Sequence, residues 1–269
     1  IEDAIKDRPI YFAVTVAPNN RIGLDNYLEM EGLVYRVTFK ESAERSSIPR
    51  LNYDKMIQNI TEANDYNNMI FIQDEAIAKA YTLEFEEMWG GVFGTNKLDN
   101  TPHKFMTGGK LVEVYFSPSD QTTSHILETI EDVDNTFEFG LLSFTRDDLG
   151  QAGIDKDIEF GIIARGIIEQ ENVTGSEFAT LSAASVNVRS HMRVAHDFHH
   201  KYLIVDANAI SADPTVLTGS HNWSINAENN SDENTLVIHD ATIANIYLQE
   251  FTERFNELVT SGIDELINV

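Results

Sequence analysis

A short apolar strand followed by an amphipathic helix occurs twice in the pattern of hydrophobic and polar positions. Residues 68–89 and 234–255 align at a constant offset of 166, and nine of the 22 aligned positions are identical. In the second copy Ile243, Tyr247 and Phe251 recur every four residues, the spacing of one helix face. An aspartate precedes each helix, in the position that favours N-capping. The pattern therefore predicts a duplicated strand–helix unit.

A second and weaker match lies upstream of each copy. Residues 31–39 resemble residues 160–168 at an offset of 129, and apolar segments at 10–14 and 137–142 precede them. Helix-like stretches separate these apolar segments. Alternation of strands and helices is typical of α/β units around a mixed sheet. We predict an α/β protein of two related halves, each a mixed β-sheet flanked by helices.

The two offsets differ, so the first half is 37 residues shorter than the second in one place. In the second half that place contains His199, Lys201 and the segment 219–222. Either the first half has lost this segment, or the sequence omits residues of a longer protein. The missing initiator Met favours omission. So does the lack of a first-half counterpart to the apolar strand at 110–116.

These patterns predict three parts in the chain. Residues 1–89 form the first half, without its catalytic segment. Residues 90–109 are rich in glycine and polar residues, which is typical of a linker. Residues 110–269 form the second half.

Composition narrows the classes of function. The chain has 269 residues with 19 Lys and Arg against 44 Asp and Glu, a formal net charge of -25. Such a charge repels polyphosphates, so nucleic acid is a disfavoured substrate. The absence of cysteine excludes disulfides, thiolate nucleophiles and cysteine zinc sites. No apolar run approaches the roughly 18–20 residues of a membrane-spanning helix.

The clearest candidate chemistry begins with His199 and Lys201. They are two residues apart at the start of an apolar run, and residues i and i+2 of a strand share one face. An imidazole and an ammonium therefore emerge side by side. The ammonium can hold anionic phosphate oxygens while the neutral imidazole acts as a nucleophile.

Further polar residues follow at matching spacing. Ser220 and Asn222 are again two residues apart, and their hydroxyl and amide can hydrogen-bond a phosphoryl oxygen. Gly219 allows close approach of the backbone. Glu233 can accept a hydrogen bond from one ring nitrogen of His199, which would leave the other nitrogen free to attack.

In this order and spacing, the pattern resembles the signature of the phospholipase D superfamily. It is most similar to secreted bacterial phospholipase D-like proteins and to the small bacterial endonuclease branch. The residues that carry the resemblance are His199, Lys201, Asp206, Gly219, Ser220, Asn222 and Glu233.

The resemblance implies a role for each of these side chains. His199 is the nucleophile that forms a phosphohistidine, and Glu233 orients it. Lys201, Ser220 and Asn222 bind the phosphate. The active site lies at the interface between the halves, with no metal and no cofactor.

This sequence departs from the family pattern in two ways. Twelve residues separate Asp206 from Gly219 where the family usually has six, which predicts a longer hairpin. Asp206 is expected to be structural and to pin the adjoining loop, and Gly219 belongs to the structural part of the motif. Family members also bring two half-motifs together, one histidine attacking and the other protonating the leaving group. The first half offers no His-x-Lys.

The remaining aromatic and imidazole groups near the motif receive structural roles. His200 and His221 alternate to the opposite face and are predicted to pack beneath the site. His191 and His196 precede the strand, and the segment 191–193, which mimics the His-x-Lys spacing, is predicted to lie at the surface. Trp223 is predicted to pack in the core.

We expect a metal-independent phosphodiesterase that hydrolyses or transfers phosphodiesters, with phospholipids as substrates. Two alternatives remain open: a non-specific nuclease of the same superfamily, and a catalytically degenerate interaction module. The protein is expected to be a monomer with two halves or a homodimer. The resemblance also predicts a secreted or extracytoplasmic bacterial protein.

Overall fold

The structure is a computed structural model that describes residues 11–14, 26–30, 33–37, 66–68, 70–192, 197–209 and 212–267. The strands are β1 (Tyr11–Val14), β2 (Asn26–Met30), β3 (Leu33–Val37), β4 (Ile70–Gln73), β5 (Lys104–Thr107), β6 (Lys110–Ser117), β7 (Thr136–Leu141), β8 (Ile163–Ile168), β9 (Asn187–Ser190), β10 (Lys201–Val205), β11 (Thr215–Gly219) and β12 (Glu233–His239). The helices are α1 (Glu75–Trp89), α2 (Thr122–Glu131), α3 (Asp147–Asp157), α4 (Phe178–Ala183), α5 (Ile225–Asn229) and α6 (Ala241–Ile267).

Eight strands form one open mixed sheet in the order β5-β6-β12-β11-β10-β7-β8-β9. Strands β7, β8 and β9 are parallel, and helices α3 and α4 connect them. The other neighbours are antiparallel. The predicted α/β class is confirmed. Within the described residues the first half contributes two small antiparallel pairs, β1 with β4 and β2 with β3.

Apolar cores cover both faces of the large sheet. One core joins side chains of β4, α1 and α6 to the sheet. The other joins helices α2, α3 and α4 to the opposite face. Strand β10 lies between the two cores and all five of its residues are buried. This explains why its sequence is a continuous apolar run after Lys201, since a strand buried on both faces has no polar alternation.

The duplicated strand–helix unit is confirmed as β4–α1 and β12–α6. The Oδ1 atoms of Asp74 and Asp240 each accept hydrogen bonds from backbone N–H groups two and three residues further on, at 2.8 to 3.0 Å. Both aspartates therefore cap their helices as predicted. The two helices differ in how far they are buried: Phe251 is fully buried, whereas its counterpart Phe85 is 56% exposed.

The two copies contact each other reciprocally. Asn68 in the first copy donates a hydrogen bond from Nδ2 to the hydroxyl of Tyr247 in the second, at 2.6 Å. Tyr81 in the first copy donates to Oδ1 of Asn234 in the second, at 3.1 Å. Asn68 matches Asn234 and Tyr81 matches Tyr247 in the sequence alignment. Such exchange of equivalent contacts is the property of a twofold relation, so the copies face each other across an approximate twofold axis.

The segment 90–109, predicted as a linker, packs against the second half. It contains a short 3₁₀ turn, Gly94–Asn96, and the edge strand β5. Lys97 is buried, where it donates to the carbonyl oxygen of Ser117 at 2.8 Å and forms ion pairs with Glu84 and Asp232. The boundaries of the three parts stay a prediction. Of the helices that the structure describes, none has the length and apolar character needed to cross a membrane.

Candidate active site

His199 lies immediately before β10 and is held by a segment of the first half. Its backbone N–H donates to the carbonyl oxygen of Tyr66 at 2.9 Å, and Tyr66 donates to the carbonyl oxygen of Asp197 at 2.8 Å. The side chain of His199 remains exposed. A parallel bridge between Tyr66 and Phe198 thus fixes the backbone that carries the proposed nucleophile.

Lys201 stands beside the imidazole, as the two-residue spacing predicts. Its Nζ lies 3.3 Å from Nδ1 and 3.4 Å from Nε2 of His199. It also donates to the carbonyl oxygen of His199 at 2.9 Å. The ammonium is therefore anchored at the start of β10, adjacent to the imidazole of His199.

The surroundings of His199 favour its neutral form. Desolvation lowers the pKa of His199, and the positive charge of Lys201 lowers it further, while Asp197 acts in the opposite direction. A neutral imidazole carries the lone pair that nucleophilic attack requires. At neutral pH the electrostatics of the site suit a histidine nucleophile.

Gly219 and Ser220 lie at the end of β11, beside the start of β10 where Lys201 lies. Tyr202 pairs with Thr218 in the antiparallel register of β10 and β11, which places the residues that follow beside Lys201. The hydroxyl oxygen of Ser220 accepts hydrogen bonds from the backbone and side-chain nitrogens of Asn234, both at 3.1 Å. Ser220 therefore keeps its hydroxyl hydrogen for another acceptor.

Gly219 serves the close approach of two strands. A Cβ at this position would lie 2.0 Å from the carbonyl oxygen of Asn234, far inside contact distance. The backbone that approaches Gly219 closely thus belongs to β12. Asn222 follows on the loop beyond β11, and within the described residues its buried Oδ1 has no hydrogen-bond partner.

Asp206 lies at the far end of β10 from His199. Its carboxylate accepts hydrogen bonds from the backbone nitrogens of Asp134, Asn135 and Thr136 at 3.0, 2.7 and 2.8 Å. Asp206 also has a positive φ of 52°. It lies five positions along the chain from Lys201, about 16 Å in an extended strand. It holds the start of β7 against the β10–β11 hairpin, so its contacts are structural.

Glu233 and His199 share no hydrogen bond among the described residues, so the predicted bond between them is not formed. Nδ1 of His199 instead lies 3.0 Å from Oδ1 of Asn67. Sequence reasoning missed Asn67, although the offset of 166 pairs it with Glu233.

The neighbouring histidines are mostly buried. His200 is fully buried, and desolvation holds its pKa well below the usual range. His221 is buried beside Glu228, 3.3 Å away. The prediction that His191 lies at the surface is wrong, because it is 2% exposed and its Nδ1 lies 2.7 Å from Oε2 of Glu169. His196 lies outside the described residues. Trp223 packs in the core as predicted.

A possible cation-binding group lies apart from the motif. Asp99, His103 and Asp120 bring ligand atoms within 4.8 Å of one another, beside the edge strand β5 and its neighbour β6. Nδ1 of His103 lies 3.0 Å from the carbonyl oxygen of Val114 and Nε2 lies 2.9 Å from Asp99, so both ring nitrogens already have partners. The expectation that the chemistry at His199 needs no metal stays a prediction.

The first half's place for a second motif lies in residues 38–65, outside the described residues. These residues contain no histidine, so they hold no second His-x-Lys. That a segment of the first half is omitted from the sequence stays a prediction.

Comparisons with known proteins match the second half. Residues 145–255 match the family described as cardiolipin synthase, phospholipase D-like domain. Mitochondrial cardiolipin hydrolase of Mus musculus is 28% identical over 141 residues, 52% of this chain and 60% of that protein. The protein of the same name from Xenopus tropicalis is 33% identical over 106 residues, 39% of this chain and 47% of that protein. The chain thus spans about half the length of these curated relatives.

One solved structure matches about half of this chain. Nuc, a phospholipase D family member from Salmonella typhimurium, is 26% identical with a TM-score of 0.46, and the match covers 54% of this chain and 93% of that chain.

The expectation of a secreted bacterial protein is wrong. Seven curated proteins match, and they are mitochondrial cardiolipin hydrolases of eukaryotes, from vertebrates to Chlamydomonas reinhardtii. The motif itself does not carry the cellular location, since the same residues serve the same chemistry in any compartment. Residues 145–255, which contain His199, Lys201, Ser220 and Asn222, match a phospholipase D-like domain, so the predicted resemblance to the phospholipase D superfamily is confirmed for this part of the chain.

Proposed function

We propose that this protein is a phosphodiesterase that cleaves phospholipids through a phosphohistidine on His199. The observation that carries the proposal is the exposed imidazole of His199, kept neutral beside the anchored ammonium of Lys201. The names of the curated relatives support a phospholipid substrate such as cardiolipin. The net charge of -25 supports a substrate other than nucleic acid.

In the first step the lone pair of a ring nitrogen of His199 attacks the phosphorus atom. Lys201, Ser220 and Asn222 hold the non-bridging oxygens and stabilise the charge that develops on them. The phosphorus–oxygen bond to the leaving alcohol breaks, and that alcohol takes a proton from a general acid. In the second step water attacks the phosphohistidine and releases the imidazole. An alcohol in place of water would give transfer.

The general acid must come from a second copy of the motif. Residues 1–89 contain no histidine, so in a monomer the general acid would have to come from the segment whose omission the two offsets predict. A second copy of the chain can provide it by placing two His199 side chains face to face, as a homodimer. Specific activity that rises with protein concentration would indicate the dimer, and activity independent of concentration would indicate the monomer.

The test uses purified chain with vesicles of cardiolipin and phosphatidylcholine in excess EDTA. It measures formation of phosphatidic acid together with the alcohol released, phosphatidylglycerol from cardiolipin or choline from phosphatidylcholine. We expect turnover that His199→Ala reduces at least a thousandfold. His125→Ala is the matched control, because His125 lies on α2 away from the motif and should leave the rate unchanged.

Each other outcome rejects a defined part of the proposal. Turnover that stops in EDTA contradicts the metal-independent mechanism. Cleavage of plasmid DNA without cleavage of lipid would make the chain a nuclease. No turnover of either substrate would make it an interaction module that keeps the fold of the superfamily.

A further inference from the structure

The duplication pairs Asn67 with Glu233. Both residues immediately precede the asparagines that the two copies share, Asn68 and Asn234, and the offset is again 166. The sequences therefore place an amide in the first copy where the second copy has a carboxylate. Because the copies are related by an approximate twofold axis, these two side chains occupy equivalent positions on opposite sides of it.

The contacts between the copies are crossed. Asn68 bonds to Tyr247, and Tyr81 bonds to Asn234, so each copy completes its hydrogen bonds with a residue of the other. Asn67 follows the same rule, since its Oδ1 lies 3.0 Å from Nδ1 of His199 in the second half. The same symmetry would direct Glu233 toward the first half. This explains why Glu233 and His199 share no hydrogen bond in the described structure.

The position of Asn67 is fixed on both sides. Tyr66, before it, exchanges two backbone hydrogen bonds with the segment of Asp197 and His199. Asn68, after it, is buried and donates to Thr218 at 2.8 Å as well as to Tyr247. A residue held at both neighbours presents its side chain to His199 with little conformational freedom.

We propose that Asn67 is the positioning residue of His199, which keeps the proton on Nδ1 and leaves the lone pair on Nε2 for attack. The amide oxygen of Asn67 accepts a hydrogen bond, so the ring nitrogen facing it must carry the proton. The catalytic consequence rests on the proposed phosphohistidine function. The contact between Asn67 and His199 is independent of that function.

An amide in this place has a consequence that a carboxylate would not have. A carboxylate 3 Å from the ring stabilises the imidazolium and raises its pKa, whereas a neutral amide orients the ring without that effect. The charged groups that act on His199 among the described residues are Lys201, which lowers its pKa, and Asp197, which raises it. Asn67 adds no charge to this balance, so the imidazole remains neutral at lower pH than a carboxylate-paired histidine.

The test is ¹⁵N NMR of the histidine side chains in the full chain, with His199 assigned from His199→Gln. For the unsubstituted protein we expect the Nδ1-protonated tautomer. Asn67→Asp, which is isosteric, should raise the pKa of His199 by about one unit or more. Asn67→Ala should give a mixture of the two tautomers.

Glu233→Gln is the matched control and should leave the tautomer and the pKa of His199 unchanged. The signals of buried His191 report whether each variant keeps its fold. A shift of His199 in Glu233→Gln, without one in Asn67→Asp, would overturn the inference and return the orienting role to Glu233.

A second readout follows turnover of cardiolipin against pH. In Asn67→Asp the acid limb of kcat should move to higher pH with the pKa of His199, while KM stays nearly constant, because Asn67 touches the nucleophile and not the substrate. If the unsubstituted protein shows no turnover, the proposed function fails while the NMR result still decides the role of Asn67. An acid limb that does not move although the pKa of His199 does would overturn the catalytic part of the inference.

Discussion

Replacing Gly219 tests whether strands β11 and β12 approach each other as closely as the structure shows. A Cβ added there would lie 2.0 Å from the carbonyl oxygen of Asn234, 2.9 Å from its carbonyl carbon and 3.0 Å from Cα of Thr235. All three atoms belong to the backbone of β12 in the middle of the sheet. They cannot turn away as the end of a flexible side chain would. In Gly219→Ala the strands β11 and β12 must therefore move apart by about 1 Å at this point.

The cost can be worked from what that separation disrupts. Inserting a methyl group into a close-packed region costs about 1–3 kcal/mol. The hydrogen bond from Ser220 N to Asn234 O, 3.0 Å long, lies at the point of contact and contributes about 1 kcal/mol when intact. We expect Gly219→Ala to lower the free energy of unfolding by about 2–4 kcal/mol. Turnover should also fall, because Ser220 moves with the strand.

The assay is urea unfolding followed by circular dichroism. Gly153→Ala is the matched control: a Cβ there meets nothing nearer than 3.8 Å, and Gly153 lies inside helix α3. It should be neutral or stabilising by up to about 1 kcal/mol, since alanine favours helix over glycine. Equal stability of Gly219→Ala and the unsubstituted protein would refute the close approach of β11 and β12 described for this site.

Two further predictions concern stability. Asp206→Ala removes three backbone hydrogen bonds to the carboxylate and should cost about 2–4 kcal/mol in urea unfolding, while the imidazole of His199 keeps its tautomer; a loss below about 0.5 kcal/mol would contradict the structural role of Asp206. Desolvation raises the pKa of Glu250 to about 7 although Arg254 opposes it. The folded state thus favours the protonated acid, and the stability that this contributes is lost as pH rises from about 4.5 through about 7. Glu250→Gln should flatten the decline of the urea midpoint between pH 5 and pH 8; an unchanged decline would exclude Glu250 as its source.

Local periodicity was sufficient to predict several elements of the fold. The strand–helix unit at 68–89 and its copy at 234–255 were visible as repeated apolar positions, and both capping aspartates were correct because capping depends on neighbouring residues only. The order of the eight strands was not readable, since it depends on pairings between distant segments. The edge strand β5 was taken for part of a linker because its four residues carry little apolar pattern.

For the candidate site, too, local contacts were predicted and contacts between distant segments were not. His199 and Lys201 lie side by side because strand spacing alone determines it. The contact between Asn67 and His199 was not predicted because Asn67 is 132 positions away in the chain, and only the packing of the two copies brings it to the ring. His191 was taken for a surface residue, yet Glu169 and the ring of Tyr66 bury it. Such tertiary contacts leave no periodic trace in the sequence.

The measurement that tests the central proposal most directly is detection of the covalent intermediate. The chain is mixed with cardiolipin in EDTA, stopped in alkaline denaturant, digested, and analysed by mass spectrometry. We predict a phosphatidyl group on the peptide that contains His199, absent in His199→Ala and present in His125→Ala. Turnover without this intermediate, or with the group on another residue, would contradict the assignment of His199 as the nucleophile.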